Sequence, residues 1–315
     1  MALFLVTGAG GFIGSNLAEA ILARGDRVRA LDNFATGRRE NIAQAGAWAS
    51  AGGGAFELVE GDVRDPEVCR RAVAGADFVL HQAAIPSVQR SVKDPLGSNE
   101  VNVTGTLNLL IAARDAKVRS FVMASSSSLY GESETLPKVE SMCPAPISPY
   151  GLQKLAGETY CGIFHRLYGL PTVALRYFNV FGPRQDPASE YSAVIPRFIA
   201  AIKARRTPTI YGDGEQTRDF TYVANVVQAN LRACEAPPAA HGQAFNIACG
   251  ERISLNDLVA ILAEFAGRPV DAEHAPARPG DIKHSLAGIG KAREGLGYAP
   301  EVTLREGLRR TWELP

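Results

Sequence analysis

The sequence predicts an α/β protein with a doubly wound, mostly parallel sheet of the Rossmann type, followed by a smaller α/β substrate-binding C-terminal domain. Three observations predict it: apolar runs of strand length alternate with helix-length segments, a glycine-rich turn follows the first run, and the regularity stops after Asn179. The predicted strands of the sheet are Leu3–Thr7, Arg27–Leu31, Phe56–Glu60, Asp77–Leu80, Ser120–Ser125 and Thr172–Phe178. Because crossovers between parallel strands are right-handed, we expect helices on both faces of the sheet.

The first predicted helix lies between the first two strands. Ile13, Leu17 and Ile21 recur every fourth residue and give one apolar helical face, and Gly25 marks its C-terminal end. Further along, residues 43–55 contain three consecutive glycines, so we predict a surface loop there.

After residue 180 the chain becomes richer in turns. We predict a dinucleotide-binding domain over residues 1–180 and a substrate-binding domain over residues 181–315. Helices are predicted near residues 192–205, 222–235, 254–267 and 303–312. The apolar run Phe245–Ala248 predicts a further strand, and we expect part of 220–250 to return to the main sheet.

Composition excludes several classes of protein. The 315 residues include 33 basic and 33 acidic side chains, so no overall field favours nucleic acid or an anionic membrane. The five cysteines are widely spaced and form no CxxC pair, which indicates neither a metal site nor a disulfide framework. The sequence has no apolar run of about 20 residues, the length a membrane span needs. We therefore expect a cytoplasmic protein.

The glycine turn and two strand-end carboxylates predict a dinucleotide site. Gly8, Gly11 and Gly14 follow the first strand and open the first helix, where backbone N–H groups can approach a pyrophosphate. Asp32 ends the second strand 24 residues after Gly8, near the interval of about 20 residues expected for a ribose-binding acid. Its charge would repel a 2′-phosphate, which favours NAD over NADP. Asp62, at the end of the third strand, suits either an adenine contact or a helix N-cap.

Tyr150 and Lys154 form the sharpest motif. They lie four residues apart on a predicted helix and so share one face, and the serine run Ser125–Ser128 ends the fifth strand. A phenol titrates near 10, so a tyrosine base at neutral pH needs a pKa shift of about 3 units, or about 4 kcal/mol. An adjacent ammonium and a cationic nicotinamide ring can supply it. Without the other motifs, the same spacing would fit a solvated helical face.

These motifs together resemble the extended short-chain dehydrogenase/reductase family, and within it the NAD-dependent sugar-nucleotide 4-epimerases. The resemblance runs from the first strand to about residue 295. The stretches that carry it are Gly8–Gly14, Asn102–Thr106, Ser125–Gly131, Ser148–Lys154, Arg176–Asn179 and Arg278–Asp281.

The resemblance implies a role for each matching residue. It implies that Tyr150 is the base, that Lys154 binds the nicotinamide ribose and lowers the tyrosine pKa, and that Ser126 is the catalytic serine. The implied cofactor contacts are Gly8, Gly11, Phe12, Ile13, Gly14, Asp32, Asn33, Gly37, Asp62, Val63, Gln82, Ala84, Asn102, Ser125, Tyr150, Lys154 and Phe178. The implied substrate contacts are Ser87, Ser126, Ser127, Ser128, Tyr150, Asn179, Val194, Tyr211, Arg218, Arg278, Asp281 and Ser285. Arginines suit a diphosphate because they donate in a plane, although each alone would also fit a surface ion pair.

The function that the resemblance implies is an isomerase: NAD-dependent epimerisation at C4 of a UDP-hexose through a transient 4-keto sugar. Ser285 lies seven residues after Arg278, where the family limits the hexose 2-substituent, and its small side chain predicts that N-acetylated sugars are accepted as well as glucose and galactose. Arg184 could instead pair with a uronic acid carboxylate, which leaves a UDP-glucuronate 4-epimerase or decarboxylase as an alternative. A non-catalytic NAD-binding module is the alternative of another class.

Surplus apolar residues on two helices predict a homodimer. They are Leu107, Leu110, Ile111, Leu155, Ile163 and Leu167, and members of the resembled family pair these helices across a dimer interface.

Overall fold

A computed structural model describes residues 1–186, 194–277 and 283–314. Its main sheet has seven parallel strands in the order β11-β6-β5-β4-β1-β2-β3. These strands are β1 (Leu3–Thr7), β2 (Arg27–Asp32), β3 (Ala55–Glu60), β4 (Phe78–His81), β5 (Ser120–Ser126), β6 (Thr172–Tyr177) and β11 (Gln243–Ile247). The doubly wound parallel fold is thereby confirmed. The strand order reverses between β1 and β4, which is where such sheets bind ligands.

Helices cover both faces of the main sheet, and others belong to a smaller unit beside it. In chain order they are α1 (Phe12–Ala23), α2 (Ala45–Gly52), α3 (Pro66–Val73), α4 (Val88–Lys93), α5 (Pro95–Asn99), α6 (Gly105–Asp115), α7 (Pro149–Tyr168), α8 (Val194–Lys203), α9 (Val223–Cys234), α10 (Leu255–Ala266), α11 (Gly290–Leu296) and α12 (Leu304–Trp312). A π-helical turn, Glu100–Thr104, joins α5 to α6, and 3₁₀ turns span Arg39–Ile42, Ser127–Tyr130 and Pro238–Ala240. None of these helices, within the ranges that the structure describes, combines the length and apolarity needed to cross a bilayer.

Strand alternation divides the interior into two cores, one on each face of the sheet. Phe4 and Val6 of β1 face a core that also holds the α1 and α9 side chains, including Leu17. Leu3 and Leu5 face the opposite core, built with α3, α6 and α7. Successive side chains of a strand point to opposite faces of the sheet, and helices cover both faces. The strands therefore read as continuous apolar runs.

The predicted surface loop at residues 43–55 is wrong, because much of it is the helix α2. Ala45 and Ala49 are buried against the first core, and alanine is the best helix former. The glycines come at its end: Gly53 has φ 75° and its N–H donates to the Ala49 carbonyl, which terminates the helix.

A smaller unit packs beside the main sheet. Its core is formed by α8, α10 and α12, with short pairings of β8 (Thr209–Tyr211) with β13 (Glu273–Ala275) and β9 (Thr217–Arg218) with β12 (Ile253–Ser254). A further pair, β7 (Val180–Phe181) with β10 (Thr221–Tyr222), links this unit to the end of β6. The chain returns to the main sheet at β11, so the division at residue 180 stays a prediction.

The apolar residues predicted at a dimer interface differ in exposure. Leu110 is fully buried in the second core, which corrects that part of the prediction. By contrast, Ile111 on α6 and Leu152 and Leu167 on α7 are exposed.

Candidate active site

A large cavity lies at the carboxyl ends of the central strands, beside the reversal of strand order. Its volume is about 680 Å³. Fifteen of the seventeen predicted cofactor residues line it: Gly8, Gly11, Phe12, Ile13, Gly14, Asp32, Asn33, Gly37, Asp62, Val63, Gln82, Ala84, Ser125, Tyr150 and Lys154. The structure therefore brings the strand-end motifs and the Tyr150–Lys154 pair to one site.

The glycine turn is shaped so that backbone, rather than side chains, faces this cavity. Gly8 has φ 67°, and a Cβ there would lie 2.8 Å from the Ala83 nitrogen. A Cβ at Gly14 would lie 2.1 Å from the Gly8 carbonyl oxygen, so only glycine lets α1 approach the turn. Among the described residues, no side chain caps the N-terminus of α1. An uncapped helix start with closely packed backbone fits a pyrophosphate.

Two carboxylates mark the far end of the cavity. Asp32 accepts backbone N–H groups from Gly10 at 2.8 Å and from Phe34 at 2.7 Å, which fixes its carboxylate in the cavity wall. Asp62 accepts a hydrogen bond from Asn33 Nδ2 at 2.8 Å and pairs with Arg64, and these interactions lower its pKa to about 2. Both carboxylates line the cavity, so the contacts with the adenosine half of NAD stay predictions.

Two predicted cofactor residues lie behind the cavity wall rather than in it. The Asn102 amide oxygen accepts from the Ile85 N–H at 2.8 Å, and its nitrogen donates to Gln153 Oε1 at 2.8 Å, so Asn102 ties the wall to α7. Phe178 is fully buried in a cluster with Tyr130. Neither residue is part of the described cavity lining, so their cofactor contacts stay predictions.

The N-terminal end of α7 positions the reactive pair. The Ser148 hydroxyl caps the helix by accepting from the Gly151 N–H, and Pro149 fits its first turn. Lys154 Nζ lies 5.9 Å from the centre of the Tyr150 ring and donates to the Ala124 carbonyl at 2.9 Å. This hydrogen bond to a main-chain carbonyl of β5 fixes the ammonium beside the phenol.

Burial opposes the charged form of both reactive groups. It raises the pKa of Tyr150, while a hydrogen bond with Ser126 acts in the opposite direction. It lowers the pKa of Lys154 to about 8, so the ammonium form still predominates at neutral pH. In the protein alone, the Tyr150 phenol is therefore protonated at neutral pH.

The serine run turns its hydroxyls in different directions. Ser126 donates to Ser128 Oγ at 3.0 Å and accepts from the Ser128 N–H at 3.1 Å, next to Tyr150. Ser127 lies in the same 3₁₀ turn. Ser125 instead donates to Glu158 Oε2 at 2.9 Å. Ser87 is the N-cap of α4 and accepts from the Arg90 N–H. It is not among the described residues that line this cavity or the second cavity described below.

Behind Ser125 lies a buried polar network that the sequence motifs do not reveal. Glu158 pairs with Arg176 through two hydrogen bonds, at 2.5 and 3.0 Å, and Arg176 also donates to the Tyr130 hydroxyl at 2.7 Å. Tyr130 in turn donates to Asn246 Oδ1 at 2.7 Å. One sequence signal was available: an arginine inside an apolar parallel strand must find a buried partner.

A second cavity, of about 220 Å³, lies in the smaller unit, against the chain that follows β6. It is lined by four of the predicted substrate residues: Asn179, Val194, Tyr211 and Arg218. Asn179 has φ 33°, and its side-chain amide donates to the Asp219 carbonyl at 3.1 Å. Ser285 is placed beside this region by its N–H, which donates to the Thr217 carbonyl at 3.0 Å. The predicted residues Arg278 and Asp281 lie outside the described residues.

Arg184, the residue offered for a uronic acid carboxylate, is paired within the protein. Its guanidinium pairs with Glu19 and donates to Ser15 on α1, and it lies 5.3 Å from the Trp48 ring. It is absent from the described lining of both large cavities. Arg184 therefore fastens the chain after β7 to α1.

The parallel sheet, the dinucleotide-sized cavity and the Tyr150–Lys154 pair define a dinucleotide-dependent enzyme of the short-chain dehydrogenase/reductase class. The family model described as "NAD dependent epimerase/dehydratase family" matches residues 4–248. The chain belongs to this family.

Individual relatives agree with this placement. The chain is 42% identical over 311 residues to the UDP-glucose 4-epimerase of Mycolicibacterium smegmatis, covering 98% of this chain and 97% of the relative. It is similar to the solved structure of UDP-N-acetylglucosamine 4-epimerase from Methanobrevibacter ruminantium in complex with UDP-N-acetylmuramic acid, with a TM-score of 0.92, 38% identity and 99% and 97% coverage. The Thermus thermophilus UDP-glucose 4-epimerase complex with NAD gives a TM-score of 0.86, 37% identity and 99% and 98% coverage.

Proposed function

We propose that this protein epimerises UDP-hexoses at C4, using NAD as a resident cofactor. One observation carries the proposal: Tyr150 and Lys154 line the larger cavity, and the chain runs from Tyr177 at the end of β6, in the same wall, to Asn179 in the wall of the second cavity. A sugar attached to a nucleotide in the second cavity would reach the reactive pair. The names of the relatives, UDP-glucose and UDP-N-acetylglucosamine 4-epimerases, support this substrate class.

The residues of this chain would handle the proton. Tyr150 takes the proton from the sugar 4-hydroxyl and returns it later, Ser126 hydrogen-bonds the same oxygen, and Lys154 stabilises the phenolate. Bound NAD would supply a reversible acceptor for the hydride of C4, so no net redox change would accumulate. The glycine turn, Asp32 and Asp62 would hold the two halves of the cofactor.

Epimerisation further requires that the 4-keto sugar turn over while the nucleotide stays bound. Asn179, Tyr211 and Arg218 line the cavity that would anchor the UDP group. The Arg218 guanidinium is oriented by the carbonyls of Thr217 and Lys283, at 2.9 and 3.1 Å. Such a planar donor suits a diphosphate better than a point charge does.

The small Ser285 side chain supports acceptance of N-acetylated hexoses alongside glucose and galactose. Replacing it with a bulky residue, Ser285→Tyr, is expected to lower kcat/KM for UDP-N-acetylgalactosamine at least tenfold more than for UDP-galactose. Because Glu19 binds Arg184, this arginine does not support the uronate alternative.

A direct assay tests the proposal. The purified protein, without added NAD, is incubated in parallel with UDP-galactose, UDP-N-acetylgalactosamine and UDP-galacturonate, and the products are resolved by chromatography. We expect the gluco epimers of the first two, and none from Tyr150→Phe. Binding of NAD without conversion of any of the three sugars would instead leave the non-catalytic NAD-binding module.

We also propose that the protein is a cytoplasmic homodimer. Ile111, Leu152 and Leu167 are 37%, 58% and 64% exposed, and with the half-buried Leu155 and Ile163 they form an apolar surface on α6 and α7. A monomeric mass at micromolar concentration would refute the dimer. Leu152→Asp is expected to dissociate it, whereas Leu314→Asp, at an equally apolar exposed position on the C-terminal segment, is expected to leave the mass unchanged.

A further inference from the structure

Asp219 is a buried carboxylate that takes no part in the chemistry described above. It lies between Arg218 and Phe220, both of which line the second cavity, but its own side chain is fully buried in the interior. Burying a carboxylate is costly unless its oxygens are hydrogen-bonded. Its partners therefore indicate why it is there.

The Asp219 carboxylate accepts three backbone N–H groups from two distant segments. Oδ1 accepts from Cys249 at 3.0 Å, and Oδ2 accepts from Gly250 at 3.1 Å and from Ala287 at 3.2 Å. We call this set of contacts the Asp219 clasp. An asparagine could keep only part of it, because its amide nitrogen would face a backbone N–H donor.

The clasp joins segments that form the nucleotide end of the site. The Asp219 carbonyl accepts from Asn179 Nδ2, and Arg218, the adjacent residue, donates to the Lys283 carbonyl. Ala287 belongs to the segment that contains Ser285, which is bonded in turn to the Thr217 carbonyl. One carboxylate thus fixes the strand that carries Arg218 against the segment that faces the sugar.

The electrostatics show that the clasp is made by the charged form of the side chain. Burial raises the pKa of Asp219 to about 6, and the nearby Glu251 acts in the same direction. The three N–H groups act in the opposite direction, and the value of about 6 includes their effect. The carboxylate form therefore predominates at neutral pH. A neutral side chain would be easier to bury, and this cost favours a role beyond packing.

We propose that Asp219 is a positioning residue for the nucleotide sugar, which sets Arg218 and the Ser285 segment at their binding distance from each other. The proposal rests on the proposed function only in taking UDP as the ligand of the second cavity. It predicts that the clasp and UDP binding stabilise one another, while NAD binding in the first cavity is independent of both.

The test compares Asp219→Asn with a matched exchange of amide and acid, Asn225→Asp. Asn225 is also buried and also ties distant backbone, at residues 301 and 302, but it lines neither cavity, and it contacts the Cys249 thiol rather than the Cys249 N–H that Asp219 accepts. UDP and NAD dissociation constants are measured by calorimetry, together with kcat, KM and the melting temperature. In Asp219→Asn we expect the UDP dissociation constant and the KM to rise at least tenfold, with kcat within threefold and NAD affinity within twofold of the parent.

The control separates positioning from general stability. Asn225→Asp is expected to lower the melting temperature and leave UDP affinity within twofold. The inference is overturned if folded Asp219→Asn binds UDP as the parent does, or if it weakens UDP and NAD equally. Since UDP binding is measured without turnover, a failure of the epimerase assay would not be mistaken for a failure of this inference.

If Asp219→Asn does not fold, amide hydrogen exchange in the unmodified protein tests whether UDP binding stabilises the clasp. Cys249 and Gly250 are outside the described lining of the second cavity, so we expect UDP to protect their amides through the clasp. We expect saturating UDP to slow exchange at least threefold in peptides covering residues 249–250 and 287. Unchanged exchange at 249–250 would overturn the inference.

Discussion

Replacing Lys154 with methionine should raise the pKa of the Tyr150 base without removing the base itself. The Lys154 ammonium lies 5.9 Å from the centre of the phenol ring. At an effective dielectric constant of about 20, a unit charge at that distance stabilises a phenolate by about 2.8 kcal/mol, or about 2 pKa units. We therefore expect kcat of Lys154→Met to fall about 100-fold at pH 7.

The pH dependence of this loss distinguishes the mechanism. Burial lowers the pKa of Lys154 to about 8, so its charge is present below that pH and is lost above it. The difference between parent and variant should be largest below pH 8 and should close as the pH rises toward 10. The assay is kcat for UDP-galactose between pH 6 and 10, with saturating NAD and substrate.

Two controls accompany that measurement. Lys93→Met removes another lysine from the wall of the same cavity, on α4, and should leave the pH profile in place. Tyr150→Phe should abolish the rise of kcat with pH that titration of the base produces. If kcat of Lys154→Met were lower by the same factor at every pH, with its pH dependence unchanged, the electrostatic argument would be refuted. Lys154 would then have a role in orienting the cofactor.

Three further substitutions test the walls and supports of the site. Gly14→Ala places a Cβ 2.1 Å from a backbone oxygen and should weaken NAD binding at least tenfold by calorimetry, whereas Gly46→Ala, in open space on α2, should stabilise the fold by about 0.5–1 kcal/mol. Glu158→Gln leaves a buried guanidinium uncompensated and should cost about 3–5 kcal/mol in urea unfolding, whereas the exposed Glu306→Gln should cost under about 1 kcal/mol. Because the pKa of Asp62 is lowered to about 2, its contribution to stability is present above about pH 4 and is lost as the pH falls through 2. The melting temperatures of Asp62→Asn and parent should therefore converge as the pH is lowered to 2.

Local patterns were sufficient to predict the sheet and the reactive pair. Apolar runs predict parallel strands because both faces of such a strand are buried, and carboxyl ends of neighbouring strands meet at one edge. That geometry brings Asp32, Asp62 and the serine run together without any knowledge of loops. The helix α2 is not predicted because the three consecutive glycines at residues 52–54, at its C-terminal end, favour a loop, whereas its alanines favour a helix.

Long-range polar contacts could not be predicted in the same way. Arg176 and Glu158 lie 18 residues apart on a strand and a helix, and their meeting depends on how α7 packs on the sheet. Asp219 reaches residues 30, 31 and 68 positions away, and no spacing rule connects them. Periodicity reports which face of an element is buried, whereas it does not report which buried polar group meets which.

The environment of Tyr150 explains why its base strength depends on an occupied site. Burial raises the pKa of the phenol and lowers that of Lys154, so the protein alone disfavours the phenolate form. The same low dielectric strengthens the effect of any positive charge brought into the cavity. A cationic nicotinamide would therefore shift Tyr150 toward the phenolate more strongly here than on a solvated surface. In this arrangement the base forms where cofactor and sugar meet, and it stays protonated when the cavity lacks that charge.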